Sequence, residues 1–195
     1  MQNKKLLIGI GAVVVVLLLM VLGSYNSLVQ KDQAVAKSWA QVEADYQRRS
    51  DLVPNLVSTV KGAAAFESNT LLAVTEARAK ATSIQIDPSK LTAENIAAYE
   101  KAQSGLSGAL GKLLAISENY PALTATESFR GLQTQLEGTE NRIAVSRKDF
   151  NTAVQSYNVS TKTFPNALFA SLFGFAPKDY FVAEEGSAAA PEVNF

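Results

Sequence analysis

The chain of 195 residues has no cysteine and no histidine. Lack of cysteine excludes disulfides, thiolate nucleophiles and thiolate metal ligands. Lack of histidine removes the commonest general base near neutral pH and the commonest metal ligand. Ser-His-Asp and Cys-His catalysis, and zinc or di-iron sites that use imidazole, are therefore impossible. A surplus of one charge is also missing. Lys plus Arg total 18 and Asp plus Glu total 18, so no field of one sign draws in nucleic acid. No segment alternates polar and apolar residues as a strand does, and without a strand there is no frame for a phosphate loop. These absences lead to the expectation of a protein that is not an enzyme, with no cofactor, no metal, no small-molecule substrate and no nucleic-acid partner.

What is present begins with Leu6 to Leu22, an unbroken run of apolar residues and glycine. At 1.5 Å per residue such a run, with the uncharged residues after it, spans roughly 25–30 Å, about the thickness of a bilayer core. A cleaved signal peptide has a shorter apolar core of ~7–15 residues and a small-x-small site. Gly23-Ser24-Tyr25 fits such a site poorly. Lys4, Lys5 and the α-amino group precede the run, and the first charges beyond it are Lys31 and Asp32. The positive-inside bias then leaves the N-terminus in the cytoplasm and the domain on the outer side. The expected organisation is a tail over 1–5, a transmembrane helix over 6–24, a helical domain over 25–163, an aromatic-rich segment over 164–182 and a disordered tail over 183–195.

Four segments in the domain carry helical periodicity. In the first, Leu28, Val35, Trp39, Val42 and Tyr46 share one face. Two cations, Arg48 and Arg49, suit its C-terminus, and Asp51 can cap a second helix with Pro54 in its first turn. That second helix, expected over 52–83, carries Leu56, Val60, Ala63, Ala64, Leu71, Val74 and Ala81. Asp87-Pro88-Ser89 is a turn, with Thr92 or Asp87 as the next cap. A third helix, over 93–120, carries Ile96, Tyr99, Leu106, Leu110, Leu113 and Ile116; Gly105, Gly108 and Gly111 weaken it or admit a neighbouring helix. Thr124-Ala125-Thr126-Glu127 reads as a capping box for the fourth. Behind it Phe129, Leu132, Leu136, Thr139, Ile143, Ser146, Phe150, Ala153 and Tyr157 form a heptad seam. The fold expected is all-α: a transmembrane helix continuing into an up-and-down bundle of three to four long helices. The seam has two possible partners, the other helices of the chain or a second chain in a homo-oligomer.

Up-and-down topology returns Thr163 to the bilayer. The residues that follow include Phe164, Phe169, Phe173, Phe175, Tyr180 and Phe181, six aromatics in eighteen positions. With Tyr25 they are candidate interfacial aromatics; the alternative is that the segment folds back as a cap on the core. Arg48, Arg49 and Asp51, at the expected membrane-distal turn, are a candidate partner-binding tip, or else only capping residues. Glu67, Arg78, Glu118, Glu140 and Arg147 lie near apolar stripes and, if buried, must pair. Asn158-Val159-Ser160 fits a glycosylation sequon, a pattern common by chance.

Several blocks carry a resemblance. Tyr25-Asn26-Ser27-Leu28-Val29, Trp39, the run from Tyr46 through Arg48-Arg49-Ser50-Asp51-Leu52-Val53-Pro54-Asn55-Leu56-Val57, and Val60-Lys61-Gly62 are similar to the LemA family signature. So are Glu118-Asn119-Tyr120-Pro121, Thr139-Glu140-Asn141-Arg142-Ile143, Phe150-Asn151 and Tyr157-Asn158. The likeness runs from about Tyr25 to Phe175. It implies a bacterial membrane protein with one anchor and a long helical domain, without an established enzymatic activity. One position departs: Phe66 stands where the family commonly has histidine before a glutamate, here Glu67. The functional expectation is a single-pass protein of the bacterial inner membrane, a scaffold or adaptor that self-associates or docks another envelope protein. The contrasting expectation is a membrane-organising protein that touches lipid through its aromatic C-terminal segment.

Overall fold

A computed structural model describes residues 2–62 and 68–182. The readings placed on Ala63, Ala64, Ala65, Phe66 and Glu67 and on the 183–195 tail lie outside the described residues. Among those described the fold is all-α, with no strand. Helix α1 runs from Gln2 to Lys61, and its N-terminal part is long and apolar enough to cross a membrane. It continues without a break through Arg48, Arg49, Ser50 and Asp51, which corrects the expected turn. The reason is visible in the spacing: Val35, Trp39, Val42, Tyr46, Arg49, Val53, Leu56 and Val60 are all buried and recur every three or four residues. The stripe crosses Arg49 instead of ending there.

Continuity has a local cost at Pro54, which lies inside α1 and not in a first turn. Proline has no N–H, so the carbonyl one turn earlier, that of Ser50, loses its helical partner. Arg78 of the neighbouring helix supplies the missing donor, Nε to Ser50 O at 2.8 Å. A side chain from another element thus completes the backbone bonding of α1.

Helix α2 (Ser68–Ser83) turns back along α1, and a 3-10 turn (Pro88–Lys90) is capped by Asp87. Helix α3 (Ala93–Ser117) has Thr92 as its N-cap and runs outward again. One turn, α4 (Pro121–Thr124), precedes α5 (Glu127–Lys162). The N-cap of α5 is Thr126, whose hydroxyl accepts from Phe129 N, and not Thr124. Helix α5 returns antiparallel to α1 in the most extensive contact of the fold. Lys31 meets Ser156, Trp39 meets Phe150 and Arg49 meets Glu140. The heptad seam of α5 is therefore spent inside the chain. Phe129, Leu136, Thr139, Ile143, Ser146, Phe150 and Tyr157 are buried, with Val154 replacing Ala153 as the innermost residue of its turn. Glycines 105, 108 and 111 have nothing within 4 Å of where a Cβ would stand, so none serves a close helix crossing within the chain.

The pairing of α1 with α5 brings Thr163 back to the level of Tyr25. Short helix α6 (Asn166–Phe173) then crosses the membrane-proximal end, packed on both α1 and α5. Gly174, at φ +77°, ends it: this left-handed conformation suits a residue without a Cβ, and Phe175 N closes on Ala170 O at 2.8 Å. Residues 174–182 then run back up the bundle.

Candidate functional site

Three arrangements carry the chemistry of the molecule. The first is a polar layer between two apolar cores. The membrane-proximal core gathers Val35, Trp39, Tyr46, Tyr99, Phe150 and Phe181; the distal core gathers Val53, Leu56, Leu106, Leu113, Phe129 and Leu136. Between them Arg49 is 1% exposed. Its guanidinium donates to Ser107 Oγ at 2.5 Å, Glu140 Oε1 at 2.8 Å, Gln103 Oε1 at 2.6 Å and Gln103 O at 3.0 Å, and it lies 5.0 Å from the Tyr46 ring centre. Gln103 in turn donates to Ala81 O. All four long helices meet at this level. A cation buried in an apolar seam penalises any register that leaves it unpaired, so the layer fixes the alignment of the helices. A cavity beside it, about 470 Å³, is lined by Glu43, Tyr46, Tyr99 and Gln103 among others. Burial raises the pKa of Glu43, Tyr46 and Tyr99. These groups can exchange hydrogen bonds, and Ser107 Oγ donates to Glu140 Oε1 at 3.4 Å; among the described residues no group of three or more acidic side chains could hold a metal.

The second arrangement clamps residues 174–182. Asn158 accepts from Lys178 N at 2.9 Å and donates to Lys178 O at 2.8 Å. Asn151 makes the same pair of bonds to Phe181 N and O, at 2.9 and 3.0 Å. Seven helical residues span about 10.5 Å and three extended ones about 10 Å, so two asparagines one heptad apart match an extended chain at every third residue. Tyr157 Oη donates to Ala176 O at 3.0 Å, and Lys178 pairs with Asp32 at 3.0 Å. Phe181 ends the strap by stacking on Trp39, with ring centres 5.6 Å apart, against the edge of Phe150 and under the Arg147 guanidinium. Arg147 itself pairs with Glu100.

The third arrangement is the membrane-proximal end. Phe173 and Phe175 pack edge-on against Tyr25, with ring centres at 5.2 and 5.9 Å, and Phe169 stacks with Phe173. Phe164, Leu168 and Leu172 point away from the bundle.

The residues singled out from the sequence thus part company. Arg48, Arg49 and Asp51 lie inside α1, ten to thirteen residues before its end at Lys61, and Arg49 is interior, so they do not stand at the distal tip. The aromatic segment is split. Phe181 is a core residue roughly 20 Å beyond Tyr25, fourteen helical residues along α1 by its stacking on Trp39. Tyr180 touches Asn158, while Tyr25, Phe164, Phe169, Phe173 and the half-buried Phe175 lie near the membrane-spanning part. Of the charges near the stripes, Glu140 and Arg147 pair between helices, Arg78 serves a carbonyl, and Glu118 is exposed. Asn151 and Asn158 were not singled out as functional from the sequence; their signal is the heptad repeat of Phe150-Asn151 in Tyr157-Asn158.

A family model described as the LemA family matches residues 38–195. The magnetosome protein MamQ of Magnetospirillum gryphiswaldense is 28% identical over 174 residues, covering 80% of this chain and 64% of that protein. MamQ 2 of Paramagnetospirillum magneticum is 26% identical over the same shares. Protein LemA of Metamycoplasma hominis is 22% identical over 142 residues, covering 73% of this chain and 61% of that protein. The chain thus spans somewhat under two thirds of the length of the curated relatives it matches.

Proposed function

The chain belongs to the LemA family, and on that footing we propose that it is a non-enzymatic, membrane-anchored helical scaffold of the bacterial envelope. It stands on the outer side of the inner membrane with its N-terminus in the cytoplasm, and it acts by self-association or by holding another envelope protein. The observation that carries this reading is α1, one uninterrupted helix from the apolar run to the distal end of the bundle. Residues 25–61 project about 55 Å at 1.5 Å per residue. With α5 along most of that length and a polar layer locking the register, the domain is a stiff arm joined to its anchor without a hinge. Such a part transmits position. Among its buried polar side chains, Arg49, Gln103 and Asn158 hold helices or the strap together.

Full-length protein in mild detergent tests this by light scattering, together with affinity capture from the native membrane. The expected outcome is a discrete oligomer or one envelope protein captured in fixed ratio. A monomer with no stoichiometric companion would overturn it. A second reading, direct contact of the C-terminal segment with lipid, is favoured by the exposed apolar residues of α6 beside the membrane-spanning part of α1.

A further inference from the structure

We propose that the outer face of α6, with Leu168 and Leu172, together with Phe164 of the turn before it, lies in the headgroup–acyl boundary of the bilayer that α1 crosses, giving the arm a second support beside its anchor. The inference sharpens the lipid-contact reading and rests on α1 spanning the membrane.

Leu168 and Leu172 are four residues apart on α6 and so share one face, and Phe164, in the turn that precedes the helix, is exposed with them. The exposures of Phe164, Leu168 and Leu172 are 77%, 64% and 74%, as high as those of Leu17 and Leu19 in the apolar run, at 55% and 63%. Large apolar side chains that stand free as one patch mark a surface that something covers. The polar residues of α6 do not contradict this. Asn166 turns inward, its amide donating to Ser160 Oγ at 3.0 Å. From Thr163 to Pro177 there is no charged residue.

Height names the occupant. Helix α6 packs against α1 and meets it at Tyr25 through Phe173; in the turn of α1 just before, Ser24 is buried and Val21 half-buried, while Leu22 and Gly23 stay exposed. Val21 belongs to the last turn of the apolar run. Tyr25, against which Phe173 and Phe175 lean, is three residues beyond Leu22, about 4.5 Å further along the axis. A bilayer with a core of about 30 Å and a full thickness of about 40–45 Å has a boundary layer of about 5–8 Å on each side. Helix α6 is thus held inside that layer by the same helix that crosses the core. Lipid surrounds α1 at this height in every inserted copy, and a short amphipathic helix with leucines on one face, beside an exposed phenylalanine, suits that boundary. Gly174 then turns the chain out of the layer, and the asparagine clamp secures the remainder on the bundle, so α6 is tied at both ends.

The absence of cysteine makes the test direct, because single-cysteine variants need no altered background. Leu168→Cys and Leu172→Cys are spin-labelled in the full chain and reconstituted in phosphatidylglycerol–phosphatidylethanolamine vesicles. Leu18→Cys, in the apolar run, and Val145→Cys, exposed on α5 far from the run, serve as references. Native emission of the single tryptophan, Trp39, verifies the fold of each variant. Relaxation by oxygen relative to a water-soluble nickel chelate is expected to be several-fold higher at 168 and 172 than at 145, and below that at 18. Chelate accessibility at 168 and 172 equal to that at 145 would overturn the proposal. So would labels inaccessible to both reagents with spin–spin broadening, which would mean that a second copy covers the face. Chelate access at 18 would instead refute the spanning of α1 on which the proposal rests.

Discussion

Pro54 and Arg78 offer a two-residue test of how the long helix survives a proline. The Ser50 carbonyl, one turn before Pro54, is deprived of its amide donor and accepts from Arg78 Nε at 2.8 Å; Ser50 is buried. Arg78→Met keeps most of the aliphatic stem and leaves that carbonyl orphaned, at a cost of about 1–3 kcal/mol. Pro54→Ala restores the amide. Proline in a helix interior is about 3 kcal/mol worse than alanine, and the lost rigidity of the unfolded chain returns about 0.4–1 kcal/mol of that, so a net gain of up to about 2 kcal/mol is expected. In the Pro54→Ala background the carbonyl no longer needs Arg78, and Arg78→Met should fall to the range of an ordinary surface change, within about 0.5 kcal/mol. The coupling between the two sites is then about 1–2 kcal/mol. Urea unfolding of the full chain in detergent, followed by Trp39 emission, measures all four species. At a slope of about 2 kcal/mol per M, a 2 kcal/mol change moves the midpoint by about 1 M. An equal cost for Arg78→Met with and without Pro54 would refute the reasoning.

Four further outcomes follow from the same structure. In the polar layer Glu140 is 44% exposed; Glu140→Gln, which keeps an acceptor for Arg49, should therefore cost at most about 1 kcal/mol. Arg49→Ala, which strands Gln103 and leaves a void, should cost about 3–5 kcal/mol in the same urea titration. Phe181→Ala removes the plug over Trp39; losing about 3 kcal/mol or more of buried ring weakens strap docking over a hundredfold, and a red shift of Trp39 emission with retained helical circular dichroism is the expected sign. On the alkaline side, burial and then Asp32 push the Tyr157 phenol to about 12, and burial also raises Tyr46 and Tyr99. A phenol raised in the fold stabilises it fully below the unfolded value near 10, and that contribution is lost as pH climbs through the folded value. The urea midpoint should fall between pH 10 and 12, while absorbance at 295 nm shows these three phenols ionising late.

Much of this architecture is legible in the residues, because a helix that buries one face must repeat its apolar positions every three or four residues. Leu106, Leu110 and Leu113 in α3, and Phe129, Leu136, Ile143 and Phe150 in α5, all proved interior. The end of α1 was misread because two arginines, a serine, an aspartate and a proline imitate a helix terminus followed by a cap. The counter-signal was the spacing 46, 49, 53, which puts Arg49 on the inner stripe if a cation is allowed a core position; partners eighty or more residues away in sequence, such as Glu140, cannot be read from local pattern. The cap of α5 was placed at Thr124 because a second threonine, Thr126, offers the same chemistry two residues later. The strap was hidden for a different reason. An extended segment without strand neighbours has no period of its own, and its fit is encoded in the asparagines of another helix. Of the interfacial aromatics, the split between Phe164 and Phe181 depends on a turn at Gly174 whose direction no composition reveals.

The central claim is that a single stiff helix joins the anchor to the far end of the domain. Spin labels at Asn26→Cys and Ser58→Cys, measured by double electron–electron resonance in reconstituted full-length protein, test it most directly. Thirty-two residues of unbroken helix place the two backbones about 48 Å apart, and a narrow distribution near that value is the result expected. A distance near 25 Å, as a helix folded back at Arg49–Ser50 would give, or a broad distribution, would contradict it.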